Sequence, residues 1–167
     1  MLLFLMGLLR FVKTLFSNIQ NSKKLQFQQV YQQNGNCAFK MCSSLKIIVI
    51  PENVTEIYNN AFGVCQSLAN ITFSNSVTKI GNFAFCRSLV SIRFSNSLTQ
   101  IGDEAFSKCS SLTNITIPNS VKEIGGCAFS CCSSFINITI PYSVITNKNQ
   151  KICIFWMNFT YKCYNSR

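Results

Sequence analysis

A near-identical phrase that returns at a fixed interval constrains a chain more than any composition does. The stretch SVTKIGNFAF at 76–85 recurs as SLTQIGDEAF at 97–106 and as SVKEIGGCAF at 120–129. A looser copy, NVTEIYNNAF, stands at 53–62. The Ala-Phe pair serves as a ruler: Ala38-Phe39, Ala61-Phe62, Ala84-Phe85, Ala105-Phe106 and Ala128-Phe129 are spaced by 23, 23, 21 and 23 residues. The short interval has a local cause, because AFGVCQSL at 61–68 becomes AFCRSL at 84–89. Beyond that cut the register returns, as expected when a loop shrinks and the core positions stay.

The remaining residues fall into columns. Each Ala-Phe is followed by a cysteine (Cys42, Cys65, Cys86, Cys109, Cys132), then by Leu45, Leu68, Leu89, Leu112 or Phe135. Next come Ile48, Ile71, Ile92, Ile115 and Ile138, then Ile50, Phe73, Phe94, Ile117 and Ile140. A turn of the PNSV type supplies Val54, Val77, Leu98, Val121 and Val144. Ile57, Ile80, Ile101 and Ile124 close the unit, mostly with a glycine behind them (Gly81, Gly102, Gly125). A period of this length indicates a solenoid or similar array. The L-x-x-I-x-I segment alternates with period two, which predicts a strand. Pro118 and Pro141 end it, because proline has no amide to give to a ladder. The I-G-x-x-A-F segment reads as a short strand or turn on the opposite, convex side. One unit cannot bury both of its faces, so only the stack of units is stable.

These residues resemble a leucine-rich repeat of the 23-residue class found in BspA-like surface antigens. The run SLTNITIPNSVKEIGGCAFSCCSSF matches that pattern almost column by column, and the resemblance covers about 38–144. It implies a right-handed superhelix with a parallel β-sheet on the concave face, mostly β and turns. It also implies a cell-surface or secreted protein that binds host or matrix proteins without catalysis. An intracellular leucine-rich repeat scaffold or regulatory protein, cytoplasmic in location, is the alternative, permitted by a reduced cysteine column. The organisation expected is an N-terminal apolar and basic segment with a degenerate capping repeat over 1–37, repeats over 38–144, and a basic tail or cap over 145–167. In the degenerate repeat Leu25 and Phe27 keep strand columns and Gly35 the glycine column, but Asn34 replaces the isoleucine.

Charge narrows the partners. The formal net charge of +10 raises nucleic acid as a partner, yet its distribution argues against one. Residues 47–141 carry five bases and all five acids, so the repeated body is neutral and the flanks hold the excess. A phosphate-binding surface needs clustered cations, and no nucleic-acid partner is expected. With no histidine and only 5 acidic residues, the chain lacks the usual means of acid–base or His-activated nucleophilic catalysis. No enzyme activity and no cofactor are expected.

Residues 1–20 are ambiguous. MLLFLMGLL resembles the apolar part of a signal peptide, without a preceding base or a clear cleavage site. Leu5, Leu9, Val12, Phe16 and Ile19 also stand at helical spacing with Arg10 and Lys13 among them, which suits a docked cap or a membrane-surface contact.

Several residues invite chemistry and have plainer readings. Ten cysteines raise disulfides or metal, but five share one column and read as buried small hydrophobes. Cys127, Cys131 and Cys132 are close enough to suggest zinc, although no paired C-x-x-C or histidine supports it. Cys153 and Cys163 could pair on oxidation. Asn-x-Thr sequons occur at Asn53, Asn70, Asn114, Asn137 and Asn158. Three of them are by-products of the strand motif, and Asn53 lies in a turn. Asp103 and Glu104 align with a connecting turn, so they read as solvated rather than catalytic. The binding surface expected is the outward set of the strands: Asn70, Thr72, Ser91, Arg93, Asn114, Thr116, Asn137 and Thr139.

Overall fold

The computed structural model describes residues 35–85 and 87–144, together with the backbone of 152–155 and 161–164. Each of the first four described repeats contributes one long and one short strand, and the fifth a long one. The long strands are β1 (Ile47–Val49), β3 (Asn70–Thr72), β5 (Ser91–Arg93), β7 (Asn114–Thr116) and β9 (Asn137–Thr139). The short ones are β2 (Glu56–Ile57), β4 (Lys79–Ile80), β6 (Gln100–Ile101) and β8 (Glu123–Ile124). Every pairing among these nine is parallel, and every partner lies one repeat away. The result is a parallel β-solenoid of leucine-rich repeat type, with no helix among the described residues. The short strands form a second parallel sheet of their own, in the order β2-β4-β6-β8. Sequence reading placed a strand or turn there; the structure puts the strand just before the glycine and leaves the Ala-Phe segment in the turn. Separately, β10 (Ile152–Phe155) and β11 (Tyr161–Tyr164) pair antiparallel, with Cys153 opposite Cys163.

The columns are layers of the core. Phe39, Phe62, Phe106 and Phe129 are essentially inaccessible and Phe85 nearly so. Their rings stack along the axis at centroid separations of 5.2, 5.6, 4.7 and 5.3 Å, within 7° of parallel. A second, partial aromatic column joins Phe73 to Phe94, each edge-on to a ring of the first. Ile48, Ile71 and Ile115 fill the inward position of their strands. Translation by one repeat brings like against like, so a ring meets a ring.

Hydrogen bonds follow the same translation. Asn36 Oδ1 accepts the Asn59 amide, Asn59 Oδ1 the Asn82 amide, Asn82 Oδ1 the Asp103 amide and Asp103 Oδ1 the Gly126 amide, at 2.7–3.1 Å. This ladder explains the glycine column. A Cβ on Gly81 would stand 2.6 Å from Asn59 Oδ1 and 2.8 Å from Asn59 N, a separation that real atoms do not tolerate. The glycines are there for close approach and not for backbone freedom, since none has positive φ. The left-handed positions fall instead to Cys37, Asn60, Phe83, Glu104 and Cys127, and to Met41, Val64, Lys108 and Cys131. Such a conformation costs of order 1 kcal/mol or more in a non-glycine residue, and inter-coil bonds such as Met41 N–H to Gly63 O hold it.

The long-strand sheet has one seam. Strands β1-β3-β5 form one ladder and β7-β9 another, with none between β5 and β7. Ile50 donates to Thr72 O, Phe73 to Arg93 O and Ile117 to Thr139 O, whereas among the described residues Phe94 has no equivalent bond to Thr116. Likewise Val90 and Ser91 donate to Ala69 O, while no such bond runs from Thr113 or Asn114 to Val90 O. The seam adjoins the shortened repeat, which takes four steps from Phe85 to Leu89 where its predecessor takes six from Phe62 to Leu68. Its neighbours Ile92 and Phe94 are only partly buried, unlike Ile71 and Phe73 one repeat earlier.

Candidate functional site

Alternation along the long strands decides what faces solvent. Asn70, Thr72, Ser91, Arg93, Asn114, Thr116, Asn137 and Thr139 are all exposed, with Ile71, Ile92, Ile115 and Ile138 between them turned inward. The register aligns them into two rows along the axis. One runs Ile47, Asn70, Ser91 and the other Val49, Thr72, Arg93; past the seam, Asn114 meets Asn137 and Thr116 meets Thr139. The eight predicted residues therefore share one face but two sheets.

Two members of the face were not anticipated. Ile47 and Val49 occupy the outward positions of β1 and are 65% and 64% exposed. The signal was present in SLKIIVIP, where Leu45, Ile48 and Ile50 already fill the inward columns. An unbroken apolar run concealed the period. At the other side of the same sheet stands Arg93. It is the only charged side chain among the six outward positions of β1, β3 and β5, and no carboxylate pairs with it among the described residues. Its guanidinium offers five donors in a rigid fork suited to a carboxylate.

The other candidates for chemistry resolve as architecture. Cys42, Cys65, Cys109 and Cys132 are buried in one column; Cys86 lies outside the described residues. Cys65 donates its thiol to Phe39 O at 2.9 Å and Cys132 to Phe106 O at 3.1 Å. The hydrogen bond to Cys65, reinforced by burial, holds the Cys42 proton well above the usual thiol range. Burial pushes the Cys132 thiol up to about 12. Cys42 and Cys132 are thereby inert thiols, since the thiolate is the reactive form. Cys37 and Cys131 are exposed and Cys127 half-buried. Among the described residues no three Cys, Asp or Glu side chains converge on a metal position. Asp103 and Glu104 lie in the predicted turn, but Asp103 is more than solvated: its carboxylate is a rung of the axial ladder. Asn53 is exposed in its turn. Residues 1–34, with the signal or cap reading, lie outside the described residues. No described helix is long and apolar enough to cross a membrane.

A parallel solenoid of 21- to 23-residue coils with an exposed polar face defines a leucine-rich repeat protein. The chain belongs to the BspA type leucine rich repeat family, whose repeat matches in six copies over residues 7–90 and 82–153. The solved leucine rich repeat protein of T. pallidum is similar, at 34% identity and a TM-score of 0.62, over 66% of this chain and 59% of that one. A leucine rich cell surface protein of Faecalibacterium prausnitzii is similar at 37% identity and a TM-score of 0.57, over 59% of this chain and 26% of that one. This chain thus spans less than two thirds of either protein. No curated protein sequence matches it.

Proposed function

We propose that this chain is a non-catalytic interaction protein of the cell surface, an antigen or adhesin that holds a host or matrix protein on its long-strand face. The observation that carries this reading is that all eight predicted outward positions, Asn70 to Thr139, are exposed on one face and aligned in register within each of its two sheets. Within each sheet successive repeats thereby present side chains as a grid, which is how solenoids commonly bind. Such a face offers hydrogen bonds and shape but no nucleophile or proton-transfer pair. The cell-surface placement draws support from the Faecalibacterium prausnitzii protein, which is described as such. The test is adhesion of the Arg93→Glu, Thr116→Lys double variant to immobilised matrix proteins and to host cells. The expected result is loss of adhesion with circular dichroism and melting unchanged, because exposed substitutions move stability by only about 0.5 kcal/mol. Full adhesion by the folded double variant would move the site off this face.

The intracellular scaffold reading has in its favour the buried thiols of Cys42 and Cys132, which form no disulfide. A cleavage assay on residues 1–30 during secretion separates the two.

A further inference from the structure

The long-strand face is not uniform, and the seam shows where it changes. Beyond the seam, β7 and β9 present only Asn114, Thr116, Asn137 and Thr139. Before it, the three-strand sheet runs from an apolar side, Ile47 and Val49, through Asn70, Thr72 and Ser91, to a cation, Arg93. Exposed large apolar side chains on a polar face mark interaction sites when they cluster. Here two of them stand side by side on β1, the first strand of the described sheet, in the same sheet as a guanidinium that no carboxylate pairs with among the described residues.

We propose that the β1-β3-β5 sheet receives an extended polypeptide segment laid across its strands, with an apolar side chain on Ile47 and Val49 and a carboxylate on Arg93. This rests on the reading that the long-strand face binds protein, and it names the class of partner. Adjacent strands lie about 4.8 Å apart, so Val49 and Arg93, two strands apart in one row, are separated by roughly 10 Å. A segment in polyproline II conformation repeats its side-chain direction every three residues at about 3.1 Å per residue, or roughly 9 Å. An apolar residue and an acid three positions later therefore fall on the two ends of the sheet. Thr72 lies between them in the row and supplies a hydroxyl to the backbone of such a segment, which has no internal hydrogen bonds of its own. The alternative occupant of the apolar side is a segment of this chain or a second copy.

Fluorescence polarisation on the full chain tests the proposal. The probe is a labelled peptide in which leucine and glutamate flank two prolines. Its controls carry lysine for the glutamate or serine for the leucine. The wild type binds the glutamate probe several-fold more tightly than the lysine probe, as expected for an exposed ion pair. Arg93→Glu inverts that order, Val49→Asp weakens both, and Lys46→Gln, which alters the exposed cation just before β1, leaves the order unchanged. Loss of order in Arg93→Glu without inversion, or equal binding of all probes by the wild type, overturns the proposal. So does a Val49→Asp variant that melts at a lower temperature yet binds as before, since a segment of the chain or a second copy would then cover that side. If the probes fail while the Arg93→Glu, Thr116→Lys variant still loses adhesion, the face binds protein of another class. If the probe order inverts and adhesion is untouched, the peptide site stands and the adhesion reading fails.

Discussion

The Asn82 side-chain oxygen accepts the backbone amide of Asp103 at 2.9 Å, and in doing so it lies over the Cα of Gly102. One contact thus fixes two columns of the repeat. Gly102→Ala puts a Cβ against Asn82 Oδ1 and 2.7 Å from the Gly81 carbonyl carbon, so the rung has to break or the coil shift. The expected loss is about 1–3 kcal/mol, the range for overpacking. Gly63→Ala, whose nearest atom is Asn60 O at 3.3 Å, is the milder control. Equal melting temperatures for the two variants would count against the ladder as the origin of the glycine column.

Phe85 sits at the centre of the aromatic column, between Phe62 and Phe106 and edge-on to Phe73. Phe85→Ala should cost about 3–5 kcal/mol, because rings held on three sides cannot collapse into the gap. A loss of that size approaches the whole stability of a small domain. Thermal melting checks it, and an unchanged midpoint would remove Phe85 from the core.

The seam between β5 and β7 predicts a pattern of amide exchange. Phe73 and Ile117, bonded to the next coil, should be protected, while Phe94, in the same column, should exchange much faster. Thr113 and Asn114 should likewise exchange faster than Ile136 and Asn137. Equal protection of Phe94 and Phe73 would close the seam.

Alkylation separates the cysteines. In the native state the reagent should reach Cys37 and Cys131, and only denaturation should open Cys65, Cys109 and Cys132. Alkaline pH gives a second readout. The Cys132 thiol titrates at about 12 when folded, against an ordinary 9.0. Its contribution is therefore complete below pH 9 and disappears as pH rises from about 9 to 12, where only the unfolded chain ionises. Cys132→Ala should flatten part of that alkaline decline in melting temperature; an identical slope would show the thiol to be solvated.

Most of this architecture is legible in one dimension because a solenoid converts sequence period into spatial contact. The aromatic stack, the isoleucine layers and the polar outward rows follow from columns that can be counted. The asparagine ladder does not, since nothing in IGNFAF says that Asn82 reaches forward over the next glycine. The break between β5 and β7 is equally silent. Two residues missing before Arg87 show that a loop shortens, but the consequence appears one strand further on, in bonds that Phe94 does not make. Of the binding face, the polar members were readable from alternation. Ile47 and Val49 were overlooked although Ile48 and Ile50 already fill the inward columns, because an unbroken apolar run conceals the period.

The seam also decides how the stack answers a pulling force. Along the short-strand side, β4 and β6 remain bonded across the same level at which β5 and β7 do not. A load along the axis therefore meets a joint that is fastened on one side and open on the other. Such a joint bends before it tears, and the bend opens the long-strand side. A load applied along the axis would make the stack yield at that level. The Phe85 and Phe106 rings, at 4.7 Å the tightest pair in the column, would be its pivot.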